Sequence, residues 1–470
     1  MKVLLVDVPF GATDIGGERQ LFSGVENVIP SLGLAYLAAV AEQAGHEVHI
    51  LDCARGLPWE AVAVEGRSFR PEVVGVTVTT PSFRNAVRTV EILREVVADA
   101  VFVAGGAHPT AVPEETILAG VFDFLVVGEG EQTFLALLEH LQGGGVPLEQ
   151  IPGLVFRSGE QVHWTGPAPY IQDLDALPYP ARHLLPPLEA YEPCPASLRQ
   201  LPLAHVMTSR GCPSRCNFCD RAVFGERYRE RSVENVMGEV EELVSRHGAR
   251  EIRFFDDTFT LNRRRVEALC RELRRFRPRL PWTCLTRVDS VDPDLLKLMK
   301  DAGCWQVLFG LESGDDRILA ALNKGNTVEQ NRQAVRWARE AGLRVRADFL
   351  VGSPPETLES LERTLAFACE LDLDFAHFNK FVPFPGTTFH HDLVAQGYTF
   401  DFDQSSTLDH NALVFVPPAL TPEEYQAFLD RSYRTFYLRP RYILRRALSM
   451  RTLTEWRVHL RGARSMLAFS

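Results

Sequence analysis

Residues 210–220 read RGCPSRCNFCD and set Cys212, Cys216 and Cys219 in a C-x3-C-x2-C array, three of the nine cysteines in a 470-residue chain. The preceding run, LAHVMTS, reads as a strand, so the array occupies the loop that leaves it. A structural zinc site takes four Cys or His ligands, usually as two pairs. No second pair follows here, and His205 is the one nearby candidate for a fourth ligand. A disulfide is disfavoured in a reducing compartment. Three thiolates also suit a four-iron cluster whose fourth iron stays open to a substrate.

Downstream of the array, five more apolar runs end in polar residues: EIRFFDDTFT, WTCLTRVDS, WQVLFGLESG, VRADFLVGSPPET and FAHFNKFVPFPGT. Helical patterns such as 233–246, 263–276 and 328–341 separate most of them. With LAHVMTSRG this predicts six β/α units, a partial TIM barrel. Barrel sites lie at the carboxyl ends of the strands, where Asp256, Asp257, Thr258, Arg287, Glu312, Ser313 and Gly352 each end an apolar run. Helix capping is the alternative use of such residues, and Arg287 also has Asp289 as a ready partner.

Upstream, strand and helix patterns alternate through residue 141. The run EVVGVTVTT is apolar enough to be buried on both faces. The expectation is a doubly wound, Rossmann-like parallel sheet, which binds ligands beyond its strand ends. Those ends are VTTPSF with Thr80 and Ser82, GGAHPT with Gly105, Gly106, His108 and Pro109, and GEGE with Gly128, Gly130 and Glu131. Glycine turns there serve either a ligand or plain turn chemistry. The stretch 151–166 predicts a hairpin, and 173–202, rich in Pro and Leu, a linker over a surface. The expected domains are therefore 1–145, a hairpin and linker over 146–200, the barrel over 201–400, and a helical segment over 401–470.

Composition bounds the rest. The net charge is −11, yet residues 431–470 hold ten Arg and one acid, so the tail is +9 and the remainder −20. An acidic body excludes nucleic acid as the main partner. The start MKVLLVDVPFG lacks the features of a signal peptide, and no apolar run reaches the ~18 residues of a spanning helix. A cytoplasmic enzyme is expected. In the tail, Tyr437, Leu438, Tyr442, Ile443, Leu444, Leu448, Leu453, Trp456, Leu460 and Leu467 interleave with Arg. Such a segment either caps the barrel mouth, with Arg stems covering apolar surface, or touches an anionic membrane. Cys270, Cys284, Cys304 and Cys369 read as core residues.

CPSRCNFC resembles the signature of radical S-adenosylmethionine (SAM) enzymes. An α/β domain directly before such a barrel resembles their cobalamin-binding subclass. The resemblance covers about residues 1–440. It implies that Cys212, Cys216 and Cys219 hold a [4Fe–4S] cluster and that SAM binds its open iron and is cleaved to a 5′-deoxyadenosyl radical. It further implies that Phe218 packs near the adenine, and that Asp256, Asp257, Arg287, Glu312, Ser313, Gly352 and Pro383 flank SAM. DDT at 256–258 departs from the family's GGE-type turn. Cobalamin would lie on the three strand-end turns. D-x-H-x-x-G is absent, so no His is expected on cobalt. Methylthiotransferases share this layout but carry cysteines in the first domain, where this chain has only Cys53. The implied reaction is methylation of an unactivated carbon in a small-molecule or lipid-like substrate, with an external electron donor such as a flavodoxin or ferredoxin. Cyclisation or rearrangement, and a non-catalytic sensor or carrier, are the competing readings.

Overall fold

The computed structural model describes residues 1–9, 28–53, 56–191, 193–402 and 412–449. The first sheet is built from β1 (Lys2–Asp7), β2 (Glu47–Asp52), β3 (Val73–Thr77), β4 (Val101–Gly105), β5 (Phe124–Val126), β6 (Leu154–Ser158) and β7 (Gln161–Trp164). Its order is β2-β1-β3-β4-β5-β6-β7. The first five strands are parallel. Alternation along β1 explains the double winding. Val3 and Leu5 enter one apolar core, and Leu4 and Val6 enter the core on the other face.

The expected hairpin forms, but it is not a separate connector. β6 pairs antiparallel with β5, and β7 with β6, so the hairpin completes the first sheet. The linker also differs from a surface strap. Ile171, Leu174, Tyr191, Cys194, Ala196 and Ser197 are buried. Its last part plugs the amino end of the barrel: Arg199 and Gln200 donate backbone N–H groups to Glu251, and Gln306 donates to the carbonyl of Ala196.

The second sheet comprises β8 (Leu203–Val206), β11 (Glu251–Phe254), β12 (Trp282–Thr286), β13 (Cys304–Glu312), β14 (Arg344–Val351) and β15 (Phe375–Lys380). It runs β15-β14-β13-β12-β11-β8, parallel throughout, with β8 and β15 as free edges. This is the six-unit open barrel. A short antiparallel ribbon, β9 (Ser209–Arg210) with β10 (Arg229–Glu230), brackets the cysteine loop.

The tail corrects the expected cap over the mouth. Its described part lies along the open edge. The helix Pro422–Tyr437 starts at a capping box of Thr421 and Glu424, with Pro at its first position. Its tyrosines meet the unpaired backbone of β15. The Tyr433 hydroxyl accepts from the Phe378 N–H at 3.2 Å. The Tyr437 hydroxyl accepts from the Ala376 N–H at 3.1 Å and donates to the Ala376 carbonyl at 2.9 Å. In the helix Pro440–Ser449, Tyr442 donates to the Asp374 carbonyl at 2.7 Å. Side chains thus replace the missing neighbour strand of an edge that would otherwise template pairing. Leu438, Ile443, Leu444 and Leu448 stay exposed. Leu453, Trp456, Leu460 and Leu467 fall outside the described residues. Among the described residues no helix is long and apolar enough to cross a membrane.

Candidate active site

The cysteine loop is fixed from outside. Gly211 has φ +85°, and a Cβ there would meet the Arg227 carbonyl oxygen at 2.4 Å, so only glycine lets the loop pass the ribbon. Asn217 donates its side-chain amide to the Ala321 carbonyl, and its own carbonyl accepts from the Phe389 N–H. Cys212 is half-buried, Cys216 buried and Cys219 exposed at its tip. Cys212 Sγ lies 3.8 Å from Thr258 Oγ1, and Cys216 Sγ 3.8 Å from an Arg287 guanidinium nitrogen. Surrounding protein, then the charges of Cys216, Asp257 and Cys212, push the Cys219 thiol up to about 12. The loop therefore gathers thiols that repel one another when ionised.

Among the described residues, no three Cys, His, Asp or Glu side chains converge on one metal ion. A cubane cluster places its thiolates on separate irons, so three thiols of one loop beside Thr258 and Arg287 fit it without converging on a point.

The mouth residues divide into two groups. Glu312 keeps φ +62°, the left-handed region that costs a non-glycine residue about 1–3 kcal/mol. It sits where the β13–β14 register shifts. Its carboxylate takes Lys324 Nζ at 2.7 Å, both nearly buried. Burial works to strip the Lys324 proton, but Glu312 and then Cys216 outweigh it, so the net shift is upward. Lys324 lies 5.7 Å from the Phe218 ring, whose other contacts are an apolar cluster with Ile318, Leu322, Phe381 and Phe389. Arg287 holds Asp289 at 2.6 Å and also donates to the Lys324 carbonyl. Asp257 stands exposed at the rim. Lys324 and Thr258 complete this group. Lys324 carried no sequence signal, because a lysine between two helical patterns ordinarily marks a solvated turn.

The second group is spent on structure. Asp256 accepts from the Thr208 and Ser209 N–H groups at 2.6 and 3.1 Å and from the Thr208 hydroxyl, so it holds the cysteine loop's root instead of a ligand. Ser313 bonds Thr364 and accepts from the Asp315 N–H, at a helix start. Tyr425 fills the space beside Gly352, its hydroxyl donating to the Val351 carbonyl. Pro383 is buried in the PFPGT turn.

The first domain meets this mouth directly. A Cβ on Gly386 of PFPGT would meet Asp220 of the cysteine loop at 2.9 Å and Ala111 of the helix Ala107–Ala111 at 3.2 Å. Buried ion pairs lock the contact. Arg210 binds Glu129 at 3.2 Å and Glu131 at 2.5 Å, and Arg229 binds Glu129 at 2.7 Å. Glu131 is thus a clasp residue and not a strand-end ligand. Gly106 and Gly130 serve close packing, against Val78 and Leu37. Gly105 sits in ordinary contact with β5, and Pro109 is buried within the helix Ala107–Ala111. Thr80 bonds His108 Nδ1 at 3.2 Å, and Ser82 closes a turn with Thr79. Burial lowers His108 to about 4, leaving it neutral, and its buried Nε2 has no partner. Gly128 opens onto free space. A face of backbone, small turns and one unpaired ring nitrogen fits a broad amide-bearing ligand such as a corrin.

Comparison with known proteins agrees with this layout. The Radical SAM superfamily model matches residues 206–368, and the B12 binding domain model matches residues 20–138. An uncharacterized methyltransferase of Pyrococcus horikoshii is 36% identical over 450 residues, covering 95% of this chain and 94% of the relative. The anaerobic magnesium-protoporphyrin IX monomethyl ester cyclase of Cereibacter sphaeroides is 31% identical over 419 residues, covering 87% and 67%. Among solved structures, the radical SAM methyltransferase TsrM from Kitasatospora setae, with tryptophan substrate and a SAM analog bound, superposes with a TM-score of 0.73. It is 21% identical, and the match covers 92% of this chain and 89% of that one.

Proposed function

Since the chain belongs to the cobalamin-binding radical SAM enzymes, we propose that it is a methyltransferase acting on an unactivated carbon. Its cofactors are a [4Fe–4S] cluster, SAM and cobalamin. Cys212, Cys216 and Cys219 would hold the cluster, and the turns at Thr80, Gly105, His108 and Gly128 would hold the cobalamin. When bound, these groups supply a 5′-deoxyadenosyl radical and a methyl carrier. The chain's own residues position and shield. Thr258 and Arg287 offer donors to the thiolates, the Lys324–Glu312 pair faces the cofactor end of the mouth, and the Glu129 clasp holds the two cofactor domains together. The observation that carries this reading is the junction at Gly386, where the cysteine loop and the first domain touch in one place.

The test is anaerobic reconstitution with iron, sulfide, cobalamin and SAM under a low-potential reductant. Wild type should hold about four irons and release 5′-deoxyadenosine, and the triple Cys→Ala variant should hold none. Full iron retention by that variant overturns the assignment. The cyclase relative supports a second reading, oxidative cyclisation. SAM carrying a labelled methyl group separates the two, because only a methyltransferase passes label to product. The exposed row Leu438, Ile443, Leu444 and Leu448 beside the arginines of the tail supports contact with an anionic lipid surface. Co-sedimentation with anionic liposomes that does not weaken with salt would refute it.

A further inference from the structure

The interior of the barrel carries two adjoining polar tiers. Strand register aligns His205 with Arg253, Arg253 with Thr283 and Thr283 with Gln306, across β8, β11, β12 and β13. On β14 the register partner of Gln306 is Arg344; Arg346 and Asp348 lie two and four residues further along, with His377 of β15 opposite Asp348, and form a second polar tier whose charges act on Arg253. The flanking residues Ile252 and Phe254, or Val345 and Ala347, pack into the core shared with the helices. The polar set therefore points inward, where barrels ordinarily carry branched apolar side chains.

The first tier is not self-satisfied. Both ring nitrogens of His205, Thr283 Oγ1 and Gln306 Oε1 are buried without a partner. Arg253 is 8% exposed and makes no side-chain hydrogen bond or ion pair with a described residue; it lies over Phe255, 5.6 Å from the ring centre. Arg346 is partnered, donating to Ser197 at 2.9 Å, to Asp348 at 3.3 Å and to His377 Nδ1 at 3.3 Å, so the unpaired charge is that of Arg253. Burial, then the charge of Arg346, drives Arg253 down to about 10. Burial makes His205 and His377 neutral, at about 3 and about 4. Glu251, the other near acid, is used by Arg199, Gln200 and Trp305. Two guanidiniums thus share the barrel interior with one carboxylate, which Arg346 holds, and an uncompensated buried charge is costly. The interior is not sealed at its carboxyl end: Phe255 is 42% exposed and Asn379 is exposed.

We propose that Arg253 and Arg346 bind an oxyanion of the substrate, a carboxylate or a phosphate, inside the barrel. Asp257 at the rim lies four residues beyond Arg253, at most about 13 Å at ~3.3 Å per extended residue. The substrate is then an elongated acid, its anionic end at this layer and its reacting carbon near the cysteine loop. That placement of the reacting carbon rests on the proposed reaction; the anion site does not.

The test is thermal unfolding of the reconstituted holoprotein in succinate, in inorganic phosphate, and in sodium chloride at matched ionic strength. Succinate or phosphate should raise the unfolding temperature saturably and chloride should not, and whichever acts identifies the oxyanion. Arg253→Met should unfold no lower than wild type in chloride, since it relieves an unpaired charge, and should lose the ion-specific rise. A merely packing arginine would do the opposite on both counts. Arg253→Lys, which keeps charge but loses the fork, should need about tenfold more anion. No ion-specific rise in wild type, or a rise undiminished in both variants, overturns the proposal. A wild type that binds the anion yet yields no 5′-deoxyadenosine would instead overturn the proposed reaction and leave the site standing.

Discussion

The Glu312–Lys324 pair packs over a neighbour that has no side chain. A Cβ on Gly310 would come within 2.4 Å of the Glu312 carboxylate and 3.0 Å of Lys324 Nζ. Gly310→Ala should part that buried pair and cost stability on the scale of a broken buried ion pair, about 3–5 kcal/mol. Denaturant unfolding equal to wild type would show that the pair shifts freely. Asp7 gives a pH effect. Burial, then Asp52, raises its carboxyl to about 7 from a usual 3.8. Between those values the folded state binds a proton that the unfolded state has lost, so stability falls as pH climbs from about 4 to about 7. Asp7→Asn should flatten this slope, read from unfolding temperatures at pH 5 and pH 7.5; an unchanged slope removes Asp7 from the account. At this scale the sequence was half legible. The three cysteines, Glu312 and Arg287 announced themselves by spacing or by ending an apolar run. Asp256 announced itself equally well and serves the loop, because which side chain meets a backbone N–H depends on the turn that β8 makes.

The strands were readable because their outward faces are continuous apolar stripes, Val345-Ala347-Phe349-Val351 on β14 being one. The same alternation exposed the inward charges Arg346 and Asp348, but a sequence does not say which face of a strand is the barrel's inside. The tail was legible as helical and amphipathic, yet its target was not. Tyrosines at 433, 437 and 442 look like ordinary helix packing until the strand beside them is known to lack a partner. Replacing Tyr433 and Tyr437 with Phe together leaves Ala376 and Phe378 backbone groups unpaired, each worth about 1–3 kcal/mol. Deuterium exchange should quicken in residues 375–380 and stay unchanged in β11. Equal protection of β15 in the variant would mean that packing alone, not the hydroxyls, guards that edge.

Across the whole molecule, the two domains meet through charges that are each less than one-tenth exposed. Glu129 takes both Arg210 and Arg229, so Glu129→Ala strips Arg229 of its carboxylate and leaves Arg210 with Glu131 alone. Calorimetry should then resolve the domains into two transitions where wild type gives one, and a single unshifted transition would show the clasp to be dispensable. Sequence reading divided the chain into hairpin, linker and barrel because it sees composition, not partners. The hairpin belongs to the first sheet, and the linker's end is the barrel's floor. The tyrosines along β15 also carry a consequence for how the chain is made. On the ribosome, β15 emerges well before Tyr433, Tyr437 and Tyr442, so the nascent barrel spends that interval with a bare, pairing-competent edge. Completion of the fold is tied to synthesis of the carboxyl-terminal helices, and a message cut short there yields a chain primed to pair with its own copies.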